Sequence, residues 1–312
     1  MAELSSMPSV PKLYGQAVTK GAGTQVRGLL AGTPFAKLVG APASKKSSAE
    51  GASTTTLPSE KFTVKGHKID KQKLVNFQRL MKDTVREELP SVFLHAQAFP
   101  LGLHAMSQPD FPLSLVGMVH LSNEVDHRRT VSPDEELTVS AWVENPQAHF
   151  AGTQFDTISE IKVGEEIVWR GVSVYLCKGQ FLLGKPERPE REEWDLEGLT
   201  ATARWKYSSD VGREYAAVSG DFNPIHLSSV SAKATGMKGA IAHGMYSAAR
   251  ALAATAPHFE PYQWSVTFEA PVQLPATVSF EAHRSEDGSK TEFSAWNAKK
   301  QRRHFTGWVA RR

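Results

Sequence analysis

The chain has 312 residues, 40% of them hydrophobic and 22% charged, a balance that excludes a wholly disordered chain and leaves length for two domains with separate cores. Its 36 basic and 33 acidic residues give a formal charge of +3, too small an excess to argue for a nucleic-acid partner. One cysteine, Cys177, rules out an intramolecular disulfide and a cysteine-based metal cluster; it suits a reducing compartment and a packed strand position.

Residues 1–58 are rich in Gly, Ala, Ser, Thr and Pro and read as a mobile N-terminal tail, with a short amphipathic piece at 26–39 able to dock. Met1 to Lys12 lacks the apolar segment of a secretory signal, and no apolar run is long enough to span a bilayer, so the expectation is a cytoplasmic protein with no membrane span. Residues 59–182 form a first domain. Helical patterning covers 71–82 and 91–106, and β-branched and aromatic runs at 157–163 and 166–175 read as antiparallel strands. Residues 183–198, with two prolines in dense charge, read as an exposed linker. The second domain, 199–312, repeats the order, with helices at 210–218 and 245–255. The last of these is small and almost wholly apolar, which marks a buried helix. Lys299, Lys300, Arg302, Arg303, Arg311 and Arg312 then crowd the C-terminus, suiting either a phosphate-bearing ligand or a solvated strand edge.

The two domains look duplicated. Thr138-Val-Ser140 recurs as Thr277-Val-Ser279, Thr153-Gln-Phe155 as Thr291-Glu-Phe293, and Trp169-Arg-Gly-Val-Ser-Val174 as Phe305-Thr-Gly-Trp-Val-Ala310, in the same order and at nearly constant spacing. Helices followed by strands, twice over, predict an α+β protein of two antiparallel sheets, each wrapped around a central helix.

Chemistry concentrates in Ser219-Gly-Asp-Phe-Asn-Pro-Ile-His226. Gly220, Asn223 and Pro224 favour a rigid loop. Held by it, Asp221 and His226 could converge on one water, the carboxylate polarising it and the imidazole exchanging a proton. The same spacing also fits Asp221 as a turn cap and His226 as the start of a helix. Gly244, in Ile241-Ala-His-Gly-Met245, stands at the start of the buried helix, where an orphan N–H and the helix dipole favour developing negative charge. It is equally glycine if a side chain would clash, and His243 beside it reads as a packed structural histidine. No metal-ligand spacing is present.

Ser219-Gly-Asp-x-Asn-Pro-x-His226, with Ala232, Gly236 and the 241–245 segment, resembles the MaoC-like dehydratase and R-specific enoyl-CoA hydratase family of hotdog-fold proteins, in its double-hotdog form. The likeness extends over about residues 60–312, the first half resembling a degenerate repeat with Lys82-Asp-Thr-Val-Arg-Glu87 in place of the motif. The resemblance implies reversible hydration of a trans-2-enoyl thioester to the (R)-3-hydroxyacyl thioester in fatty-acid metabolism. It makes Asp221 and His226 the catalytic pair, Asn223 the shaper of the loop and Gly244 the amide facing the thioester oxygen. Phe268 lies along the acyl site, or is simply a core strand residue. One active site per chain follows, with an acyl-chain pocket in the first half. The implied partner is an acyl-CoA or acyl carrier protein thioester, with no cofactor and no metal; a homodimer stays open. A hotdog acyl thioesterase and a non-catalytic acyl-binding subunit are the rival readings.

Overall fold

The computed structural model describes residues 1–21, 56–115, 117–190, 194, 198–234, 237–255 and 261–312. Its strands are β1 (Ala2–Leu4), β2 (Phe62–His67), β3 (Val119–His127), β4 (Leu137–His149), β5 (Gly152–Val163), β6 (Glu166–Lys178), β7 (Ala203–Tyr207), β8 (Tyr262–Phe268), β9 (Ala276–Arg284), β10 (Lys290–Asn297) and β11 (Arg302–Arg311). Its helices are α1 (Val10–Gly21), α2 (Lys71–Met81), α3 (Ser91–Met106), α4 (Val211–Ser219), α5 (Pro224–Leu227), α6 (Ser229–Ala234) and α7 (Gly244–Thr255).

The strand order, β1-β2-β4-β5-β6-β3-β8-β11-β10-β9-β7, shows the duplication as geometry. Reading outward from the β3–β8 junction, each half runs through its own three-strand meander to a last strand of its own, β2 or β7, and β1 adds a further strand outside β2. The three sequence repeats fall on β4 and β9, β5 and β10, and β6 and β11. The two expected sheets are therefore joined edge to edge into one sheet of 11 strands. This double-hotdog arrangement removes two open strand edges that would otherwise need protection.

Each half curls around one helix because that helix is apolar on every face. In α3 the buried residues include Val92, Phe93, Leu94, Ala98, Leu101, Leu103, Ala105 and Met106, too many around the circumference for a surface helix. In α7 they include Met245, Tyr246, Ala248, Ala249, Ala251 and Leu252. The junction is pinned by a polar contact: the indole N–H groups of Trp169 on β6 and Trp264 on β8 each donate to Ser91 Oγ at 2.8 Å. All three residues are buried, and the two lone pairs of one hydroxyl satisfy both donors.

The first 21 residues correct the expectation of a mobile tail. β1 pairs in parallel with β2, and Val10, Leu13 and Tyr14 of α1 are buried. Their spacing makes one apolar stripe of a helix, a local signal that the overall composition of the segment hides. The 26–39 piece and Gly236 lie outside the described residues. The linker has neither strand nor helix among its described residues. Cys177 is buried in β6, which pushes its thiol up to about 12, as suits a packed, unreactive position.

The C-terminal basic cluster divides in space, because Arg302 and Arg311 bound opposite ends of β11. Arg303 pairs with Glu269 at 2.6 Å, while Arg312 reaches Asp126 at 2.8 Å. Among the described residues no helix is long and apolar enough to cross a membrane.

Candidate active site

Helix α4 ends at Gly220, whose φ of +81° places it in the left-handed region, where glycine carries no Cβ penalty. That turn frees Asp221 from the helix. The Asp221 carboxylate accepts from the Asn223 N–H at 3.1 Å, and the Asn223 side chain caps the Ile225 N–H at 3.3 Å. Pro224 starts the single turn of α5, so His226 sits in a short helix, the second of the two arrangements that the spacing of the motif allowed, and not in a continuous loop. The reason is local: an Asx cap followed by proline at the first helical position favours such a turn. Gly212 in α4 is what lets the two helices close, since a Cβ there would lie 1.9 Å from the His226 carbonyl oxygen.

The acid and the imidazole come together through His243. The rings of His226 and His243 stack at 3.7 Å between centroids. His226 Nδ1 lies 2.9 Å from the Ile241 carbonyl, and His243 Nε2 lies 3.0 Å from the Asp221 carbonyl. A carbonyl can only accept, so each of those nitrogens carries a proton, and His226 Nε2 is left as a lone pair. Burial holds both imidazoles neutral: His226 is pushed down to about 4, and His243 lies well below its ordinary value, with His226 as a further cause. Asp221 keeps 21% of its side chain exposed, yet desolvation pushes its carboxyl up to about 7 against the opposing hydrogen bond from Asn223. An acid titrating near neutrality beside a neutral imidazole suits proton transfer in either direction.

Gly244 opens α7, so its N–H lacks an intrahelical partner. Its identity has a steric reason too, because a Cβ would come within 2.9 Å of the Phe268 ring. Asp221, Asn223, His226, Gly244 and Phe268 all line one cavity of about 470 Å³. Asp221, His226 and His243 also offer potential metal-ligand atoms within 4.8 Å of one another, although the two carbonyl contacts commit one nitrogen of each histidine to its proton.

Several lining residues carry no motif. Tyr14 reaches the site from α1, joined to the Asn223 side chain by a hydrogen bond and close enough to Asp221 for that charge to raise its pKa. Tyr175 and Tyr215 also feel the Asp221 charge, and burial is the main cause of the upward shift in all three phenols. His95 and His120 line the same cavity from the first half.

The first half keeps the helix end but not the site. Lys82 adopts φ +59° at the end of α2, matching Gly220 at the end of α4. The following Asp83 carboxylate accepts from the Thr84 N–H and from Arg86, both at 2.8 Å. Its charge is matched by a guanidinium, where that of Asp221 faces a cavity.

Residues 197–303 match the family described as MaoC like domain. The chain is 30% identical over 237 residues to 3-hydroxyacyl-thioester dehydratase X of Mycobacterium tuberculosis, an alignment covering 75% of this chain and 84% of that protein. A crystal structure of HtdX from Mycobacterium tuberculosis superposes with a TM-score of 0.70 at 26% identity, covering 81% of this chain and 99% of that one. A MaoC-like dehydratase from Phytophthora capsici shares the fold, with a TM-score of 0.61 at 19% identity over 80% of this chain and 94% of that one.

Proposed function

We propose, because this chain belongs to the MaoC-like dehydratase family, that Asp221 and His226 catalyse reversible hydration of a trans-2-enoyl thioester to the (R)-3-hydroxyacyl thioester. The observation that carries this reading is the pairing, in one cavity, of a carboxyl pushed up to about 7 with an imidazole whose Nε2 holds a lone pair. The Asp221 carboxylate and His226 Nε2 both accept from one water. As its oxygen bonds to C3, one of them takes a proton from the water, the C2–C3 π bond opens, and that proton is delivered to C2, which returns the pair to its starting state. The charge that gathers on the thioester oxygen is met by the Gly244 N–H and the start of α7. Phe268, seated on Gly244, forms the wall beside the thioester, and the lining from the first half receives the acyl chain. Arg302 and Lys178 at the same cavity suit a phosphate-bearing carrier, CoA or acyl carrier protein. One chain holds the whole constellation, so a homodimer is not needed for the chemistry. The single buried cysteine supports a cytoplasmic setting.

The test is loss of the conjugated enoyl-thioester absorbance on adding protein. Asp221→Asn should lower turnover by orders of magnitude, and near-normal turnover would sink the assignment. Release of free thiol from a saturated acyl-CoA should stay at background; rapid release would make the protein a thioesterase.

A further inference from the structure

The chemistry above uses neither His95, on α3, nor His120, on β3, yet both line the cavity. Their rings lie nearly parallel, 14° apart in orientation, with centroids separated by 6.2 Å. His95 Nδ1 and His120 Nε2 are buried without a hydrogen-bond partner among the described residues. Burial lowers the two imidazoles to about 4 and about 3, so each is neutral, with one N–H and one lone pair. The hydrogen bond of His120 with the Ser122 backbone favours the protonated ring, which makes His120 the donor there and leaves Nε2 as an acceptor.

Two orphaned polar groups in one cavity wall call for a ligand, since buried polar atoms are otherwise satisfied. Their surroundings say which part of a substrate meets them. Phe99 and Met118 line the cavity nearby, and His120 stands 5.2 Å from the ring of Phe268, which itself rests on Gly244. The pair thus lies one aromatic ring beyond the place assigned to the thioester, on the side of the first half. His120 Nε2 offers a lone pair, and the neutral His95 ring offers an N–H or a lone pair according to its tautomer; a hydroxyl, which both donates and accepts, meets either, whereas an amide N–H meets only a lone pair.

We propose that His95 and His120 form a polar subsite in the acyl channel that binds a hydroxyl group carried on the acyl chain. This rests on the reading of the Asp221 loop as the thioester site. The experiment compares kcat/KM for straight-chain enoyl-CoAs with that for matched chains bearing a hydroxyl at successive positions beyond C4. Wild type should favour the best-placed hydroxylated chain by about tenfold, expressed in KM, as expected when a ligand pairs otherwise unpaired polar groups. In His95→Phe and His120→Phe that ratio should fall to about one, and His95→Gln and His120→Gln should retain part of it.

A wild-type ratio near one, or a ratio that persists in all four variants, overturns the proposal and leaves the pair as holders of a water. Repeating the panel with N-acetylcysteamine thioesters separates the source of the contact. The hydroxyl preference should be unchanged; sensitivity to the variants that follows the carrier instead would move the contact to the pantetheine amides and overturn the acyl assignment. If wild type hydrates no straight-chain enoyl thioester at all, the underlying assignment of the reaction has failed, a result distinct from any change in the ratio.

Discussion

The Tyr14 phenol, from the first helix of the chain, is hydrogen-bonded to the side chain of Asn223, the residue that caps α5 and so sets His226. A segment with the composition of a tail therefore reaches the turn that carries Asp221 and His226. β1 anchors that segment to the sheet edge beside β2, with Lys65 and Glu3 paired at 2.8 Å.

Tyr14→Phe removes one hydroxyl and leaves the packing of the ring. Losing a hydrogen bond worth about 1–2 kcal/mol in the reactive geometry should reduce kcat/KM by about 5- to 30-fold. If the hydroxyl acts through Asn223, the Tyr14→Phe and Asn223→Ala losses will be strongly non-additive in a double-mutant cycle. Fully additive losses would give Tyr14 a separate role.

Hydration should show a limb on the acid side. Because the free Asp221 carboxyl ionises at about 7, kcat/KM should rise with pH through that value as the carboxylate forms, with a slope of one proton. His226, held neutral down to about 4, adds no step near neutrality. A limb centred near 4 in the pH–rate profile would transfer the titrating role to the imidazole.

The same shift makes a stability prediction for Asp221→Asn. The folded carboxyl is raised from 3.8 to about 7, so between these values the folded protein holds a proton that the unfolded chain has released. Stability therefore falls as pH rises across that window, and above it the native state bears the full cost of a buried carboxylate. The neutral amide lacks this cost. Thermal unfolding should give a variant no less stable than wild type near pH 4 and increasingly more stable up to about pH 8, although its turnover is lost; parallel melting curves across the range would count against the buried charge.

Gly244→Ala should disturb the site through Phe268. Its Cβ would meet the ring at 2.9 Å, and such overpacking costs about 1–3 kcal/mol, or a few degrees of melting temperature. Adding Phe268→Leu should recover most of that loss. Calorimetry on the single and double variants measures it, and an unchanged melting temperature in Gly244→Ala would show that the ring yields freely.

Much of this protein was legible because its signals are local. The helices at 71–82 and 91–106 coincide with α2 and α3 within a residue, since periodicity and capping act over a few neighbours. The collinear repeats placed equivalent strands, and Gly220, Asn223 and Pro224 announced a sharply turned segment before any fold was drawn. Local signals left the Pro224 segment open between a loop and a helical turn, which the fold resolved as a turn, and they misled at α1, which is docked where composition suggested a mobile tail.

The duplicated architecture and the motif that carries the acid and the imidazole were already written in the order and type of neighbouring residues. What surrounds that motif was decided only by the three-dimensional packing. Desolvation of Asp221 depends on what the fold places around it, including Tyr14, Tyr175 and Tyr215, which come from three separate elements. The tautomer of His226 depends on a carbonyl at Ile241, and the two orphaned imidazoles face one cavity only because α3 and β3 are brought together. Burial and electrostatics are properties of proximity, and no spacing along the chain encodes them.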